Sequence, residues 1–207
     1  MEDWQKDKLE SDKGNPLIKR AIEEYVGREH ISASIGTSDW YICEAPPRED
    51  QHHNTDLVIC GKNVMKRIGC RIRKYADKRY RDELTIRFSR PSGKKTEEAK
   101  MREGWGHLFF YAFWDYGRTD FLQWVLIDLR KFNAWYTQCI KRGDTRWTVQ
   151  HNRDGSSDFL AFKLRDLSGC VVASYGVPEY IWGGIVPEGV VAGKKKELND
   201  KDIFGES

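Results

Sequence analysis

Asp56 starts a strand and Glu83 sits on a neighbouring one. Asp56 opens the apolar run Asp56-Leu57-Val58-Ile59-Cys60. Glu83 lies within a strand in which Leu84, Ile86 and Phe88 alternate with Glu83, Thr85 and Arg87. Carboxylates gathered at a strand edge can hold Mg²⁺, a hard cation that prefers oxygen ligands. Glu23 or Glu24, on an earlier amphipathic segment, would add a third acid. The simpler alternative makes Asp56 a strand-start cap and pairs Glu83 with a neighbouring arginine.

A basic stripe lies beside these acids. Between Lys62 and Arg81 the one acid is Asp77, against Lys62, Lys66, Arg67, Arg71, Arg73, Lys74, Lys78, Arg79 and Arg81. Arg71 and Arg73 share a strand face, because alternate side chains point the same way. Arg87 and Arg90 extend the stripe. Such a surface suits phosphate contact, with a solvated hairpin as the alternative. Lys100 follows Thr96 by about one helical turn and lies on the side of Glu97. There it can orient a water or steady a pentavalent phosphate, or simply form a surface ion pair. His52-His53, just before Asp56, could approach a phosphate from a loop. No P-loop, dinucleotide fingerprint or nucleophile elbow is present.

Other function classes are excluded by composition. The chain has 207 residues, 39% hydrophobic and 32% charged, with a net charge of +3. That suits one soluble domain and is too nearly neutral to prove a nucleic-acid partner by itself. Eight Trp, nine Tyr and nine Phe supply a large core. The five cysteines are odd in number, scattered and without a CxxC pair, which points to reduced buried thiols rather than a zinc site. No signal peptide is evident, and the longest apolar run, Leu108 to Trp114, is too short for a bilayer. A cytoplasmic location is expected.

These residues need elements to hold them. Asn15-Pro16 opens a helix whose apolar face carries Leu17, Ile18, Ala21, Ile22, Tyr25 and Val26, with Gly27 as its stop. Strands are expected over Asp39–Cys43, Asp56–Cys60, Val64–Tyr75 and Arg79–Arg90. Thr96 N-caps a short helix ending at Gly104. Leu108–Trp114, apolar on both faces, is a central strand. Phe121–Leu129 is another, and Asp128 caps a helix closed by Gly143. Asp154-Gly155 turns a hairpin within Trp147–Leu164, and Cys170–Tyr175 is a last strand. The expected fold is α/β (α+β), a central mixed sheet flanked by helices. Residues 1–14 form a flexible start, 15–143 an α/β core, 144–192 a β-rich extension packed on it, and 193–207 a flexible tail.

This order resembles the PD-(D/E)XK nuclease superfamily, with a general look of small phage or mobile-element proteins. Ile22-Glu23-Glu24-Tyr25 would match the helix acid and Thr55-Asp56-Leu57-Val58-Ile59 the strand Asp. Gly69-Cys70-Arg71-Ile72-Arg73 would fill the third motif, and Gly106 to Tyr111 and Trp124 to Asp128 the later core strands. The resemblance implies a restriction-endonuclease-like fold and Mg²⁺-dependent hydrolysis of DNA, in the host cytoplasm if phage-encoded. It departs at the third motif, where Arg71 and Arg73 stand in place of an acid and a lysine. Arginine neither ligates a metal nor serves as a base. Glu83 and Lys100 are the candidates to restore the site, with Mg²⁺ on Asp56, Glu83 and Glu24. Arg71, Arg73, Lys74, Arg87 and Arg90 would hold phosphates. Otherwise the fold binds nucleic acid, or a complex that processes it, without cutting. A homodimer through the aromatic C-terminal part is a further alternative.

Overall fold

The computed structural model describes residues 13–26, 39–46, 55–63, 65–74, 80–115, 117, 119–152 and 154–183. Helix α1 runs over residues 13–21 and widens into a π-helical turn, Ile22–Val26. It starts before the expected N-cap: Asn15 lies inside the helix, 6% exposed. Gly14 packs closely there, since a Cβ on it would stand 2.3 Å from Ile72 Cδ1. Gly27 and His52-His53 lie outside the described residues.

Among the described residues nine strands follow: β1 (Trp40–Glu44), β2 (Leu57–Gly61), β3 (Met65–Arg73), β4 (Glu83–Ser89), β5 (Leu108–Trp114), β6 (Phe121–Asp128), β7 (Trp147–His151), β8 (Asp158–Lys163) and β9 (Val171–Tyr175). Helix α2 (Glu97–Arg102) lies between β4 and β5, and α3 (Leu129–Arg142) between β6 and β7. The fold is α+β. A six-stranded mixed sheet has the order β1-β2-β3-β5-β6-β9, and a second sheet the order β4-β8-β7.

One expectation fails here. β4 does not neighbour the Asp56 strand: it pairs antiparallel with β8, Glu83 opposite Lys163. The reason is topological. β3 and β5 are parallel neighbours. Parallel strands cannot be joined by a tight turn and need a crossover. β4 and α2 form that crossover, which carries Glu83 out of the large sheet.

Residues beyond 143 complete both sheets: β8 pairs with β4, and β9 with β6. The β7–β8 hairpin turns at Asp154-Gly155, with Gly155 at φ 67°. Local signals also set both later helices. The Thr96 side chain accepts from Ala99 N, and Asp128 Oδ1 accepts from the amides of Arg130 and Lys131.

Apolar side chains cover the large sheet on both faces. Ile68, Phe110, Ala112, Trp124 and Leu126 pack with Ile18, Ala21 and Ile22 of α1. On the other face Phe109, Phe113, Val125 and Ile127 join Leu84, Ile86, Phe132 and Phe162. The Phe132 and Phe162 rings meet edge to face at 5.3 Å. β5 is buried on both faces, as its unbroken apolar run dictates.

Candidate functional site

β3 alternates strictly. Ile68 and Ile72 face the α1 side, while Arg71 and Arg73 face the crossover, in register with Tyr111 and Phe113 of β5. Charged residues thus enter a covered face, and the crossover must neutralise them. Arg71 Nη1 donates to Glu97 Oε2 at 2.6 Å, with the two side chains 14% and 19% exposed. The same Glu97 oxygen accepts the Arg87 backbone amide at 3.0 Å. The Arg71 and Arg87 guanidiniums stand 4.7 and 5.6 Å from the Phe159 ring centroid. Arg73 Nη1 donates to Thr85 Oγ1 at 3.5 Å, and Thr85 shares a 3.1 Å hydrogen bond with Tyr111 Oη.

Glu97 is the hub, and sequence reasoning treats it only as a neighbour and candidate ion-pair partner of Lys100. Phe159 is expected only as part of an aromatic oligomer face, but it is buried. Its strand is apolar at four successive positions, which does not reveal that two guanidiniums lie against Phe159.

Asp56 sits just before β2, where the ladder ends. Its backbone N donates to Ile68 O, and its Oδ2 accepts from Cys70 N at 2.5 Å. The carboxylate extends the β2–β3 pairing by one bond. Glu83 is 8% exposed at the far end of β4. Its oxygens take Gln150 Nε2 at 2.8 Å and Lys163 Nζ at 2.9 Å. Lys163 also reaches Asp82 at 2.8 Å. The hydrogen bonds to Asp82 and then Glu83 push the Lys163 amine above its ordinary range.

The two candidate acids lie at opposite ends of one run. Arg71 is level with Arg87 through Glu97, and Arg73 is level with Thr85. Asp56 is tied to Cys70, before Arg71. Glu83 lies beyond Thr85, four residues from Arg87, a span of about 13 Å along a strand. Among the described residues no group of three or more His, Cys, Asp or Glu side chains is placed to hold a metal ion. Glu23 and Glu24 are exposed on α1, which packs against the opposite face of the sheet. The donors do not fit an Asp56–Glu83–Glu24 Mg²⁺ site. Two carboxylates reach β3, Asp56 at the Cys70 amide and Glu97 at the Arg71 guanidinium.

Lys100 is half-buried on α2, one turn after Glu97, and its backbone N donates to Thr96 O. Lys74 is exposed just past β3. Arg90 closes the turn before α2, donating from Nε to Lys94 O at 2.8 Å and from Nη2 to Lys95 O. It shapes a loop as well as carrying charge.

A cleft of about 670 Å³ opens at the Lys163 end, lined by Arg81, Asp82, Lys163, Arg165 and Tyr180 among others. Tyr180 is 82% exposed. A cationic rim beside an exposed aromatic ring can hold a phosphate and stack a base. Among the described residues no helix is long and apolar enough to cross a membrane. Compared with known proteins, the chain matches no family model, no curated protein and no solved structure.

Proposed function

We propose that this chain binds nucleic acid by gripping its phosphates and does not cleave it. One observation carries the reading. The strand that a nuclease of the resembled type uses for an acid and a lysine here carries Arg71, bound to Glu97, while Glu83 is spent on Lys163 and Gln150 in the other sheet. Beside these pairs lies a basic surface, with exposed Lys74 past β3 and exposed Arg165 at the cleft that Arg81 and Tyr180 also line. Positive charge held on a rigid sheet positions a backbone without reading its sequence.

Fluorescence anisotropy with labelled single- and double-stranded DNA tests this across a salt series. Affinity should fall steeply as salt rises, and Arg165→Ala and Lys74→Ala should each lower the salt slope by about one or less. Binding that ignores salt, or none at all, would sink the proposal. So would cleavage in Mg²⁺ or Mn²⁺ that disappears in Asp56→Ala together with Glu83→Ala or Glu97→Ala, which would restore the nuclease reading.

A further inference from the structure

Cys43 on β1 and Cys60 on β2 are diagonal neighbours on one sheet face: Cys43 is opposite Val58, and Cys60 opposite Tyr41. Their sulfurs are 3.8 Å apart, in thiol–thiol contact. Both are half-buried, whereas Cys139 and Cys170 are buried. Burial, then the hydrogen bond to Cys60, holds the Cys43 thiol above its ordinary range.

A disulfide needs sulfurs about 2.05 Å apart, and diagonal Cα atoms on a flat ladder stand about 7–8 Å apart, just beyond what a bridge spans without backbone movement. The sulfurs are already in contact, so the remaining approach is a small shift of one strand. β1 is the terminal strand of the sheet, paired on one side among the described residues. A shift of β1 would therefore disturb a single ladder among the described residues. A bridge reached by such a shift carries strain, and strained bridges are the ones thiols reduce readily.

We propose that Cys43 and Cys60 are a reversible dithiol switch, oxidised by small-molecule disulfides and reduced by small thiols. One cysteine thiolate attacks the oxidant's S–S bond and releases a thiol, forming a mixed disulfide. The second cysteine then attacks the protein sulfur and releases the other thiol. The chain gives up two protons and two electrons, and one S–S bond forms as one breaks. The bridge closes the loop that contains Asp56, so it ties the start of β2 to the sheet edge and limits the unfolded chain.

The full-length reduced protein is exposed to oxidised glutathione and its thiols are counted in denaturant. The count should fall from five to three and return with dithiothreitol. Trypsin cuts at Arg48, between the two cysteines, so the map should show one disulfide-linked peptide pair carrying Cys43 and Cys60. Cys43→Ser and Cys60→Ser should each lose that pair. The wild-type thermal midpoint should rise on oxidation and fall back on reduction, a readout independent of either variant folding. Five thiols persisting in the oxidant, a bridge to Cys70, Cys139 or Cys170, or a glutathione adduct without a bridge would each overturn the proposal.

Discussion

Arg71 Nη1 and Glu97 Oε2 meet at 2.6 Å, joining a strand of the large sheet to the first turn of the crossover helix. The pair is mostly shielded from water, and Glu97 also accepts the Arg87 amide. Glu97→Ala should therefore destabilise the fold by about 2–3 kcal/mol, because it strands a half-buried guanidinium and an amide. Glu97→Gln should lose less stability and bind DNA more tightly than wild type, since Arg71 keeps a hydrogen-bond acceptor while its charge is no longer offset by a carboxylate. Urea midpoints and anisotropy measure both effects. A Glu97→Ala midpoint equal to wild type would show that the pair is not structural.

Glu83 and Lys163 form the matching link inside the small sheet. Lys163 is 42% exposed and also holds Asp82, so solvent screens the pair. A double-mutant cycle on Glu83→Gln and Lys163→Met should give a coupling of about 1 kcal/mol. A coupling near zero would mean that Gln150 alone positions Glu83.

His107 makes stability depend on pH. Its Nδ1 accepts from Arg67 N at 3.0 Å, which requires that nitrogen to be unprotonated. Burial, then the charges of Lys66 and Arg67, lowers its pKa. The unfolded chain therefore takes up the proton first, and stability rises with pH. The contribution is present above about pH 6.5 and is lost as pH falls below it through the folded value. His107→Gln should flatten that part of the urea midpoint against pH. An unchanged slope would assign it to another group.

Gly176 has φ 66°, and a Cβ there would stand 2.2 Å from Leu122 O, a backbone atom. Gly176→Ala should cost about 3–4 kcal/mol, because the β9 exit must move off β6. Gly155 has φ 67° but nothing within 4 Å, so Gly155→Ala should cost only about 1–2 kcal/mol. Thermal midpoints of the two variants compare them directly. Equal losses would mean that dihedral strain, not the clash, sets the penalty.

Much of the secondary structure is legible in the sequence because its causes are local. Leu108–Trp114 is apolar at every position and becomes β5, buried on both faces. Thr96 and Asp128 carry oxygens that can reach the amides of the next turn, and both cap helices. Asp154-Gly155 supplies the left-handed residue that its hairpin needs. Alternation on β3 puts Arg71 and Arg73 on one face whatever that face meets. Which partners those side chains find depends on contacts between residues far apart in the chain. The parallel pairing of β3 with β5 forces β4 into a crossover. That separates Glu83 from Asp56, hands it to Lys163, and brings Glu97 and Phe159 to the arginines. Local pattern thus marks most strands, two helix caps and the charged face of β3. Which carboxylate neutralises which cation follows from sheet order, and sheet order comes from long-range pairing that no local period encodes.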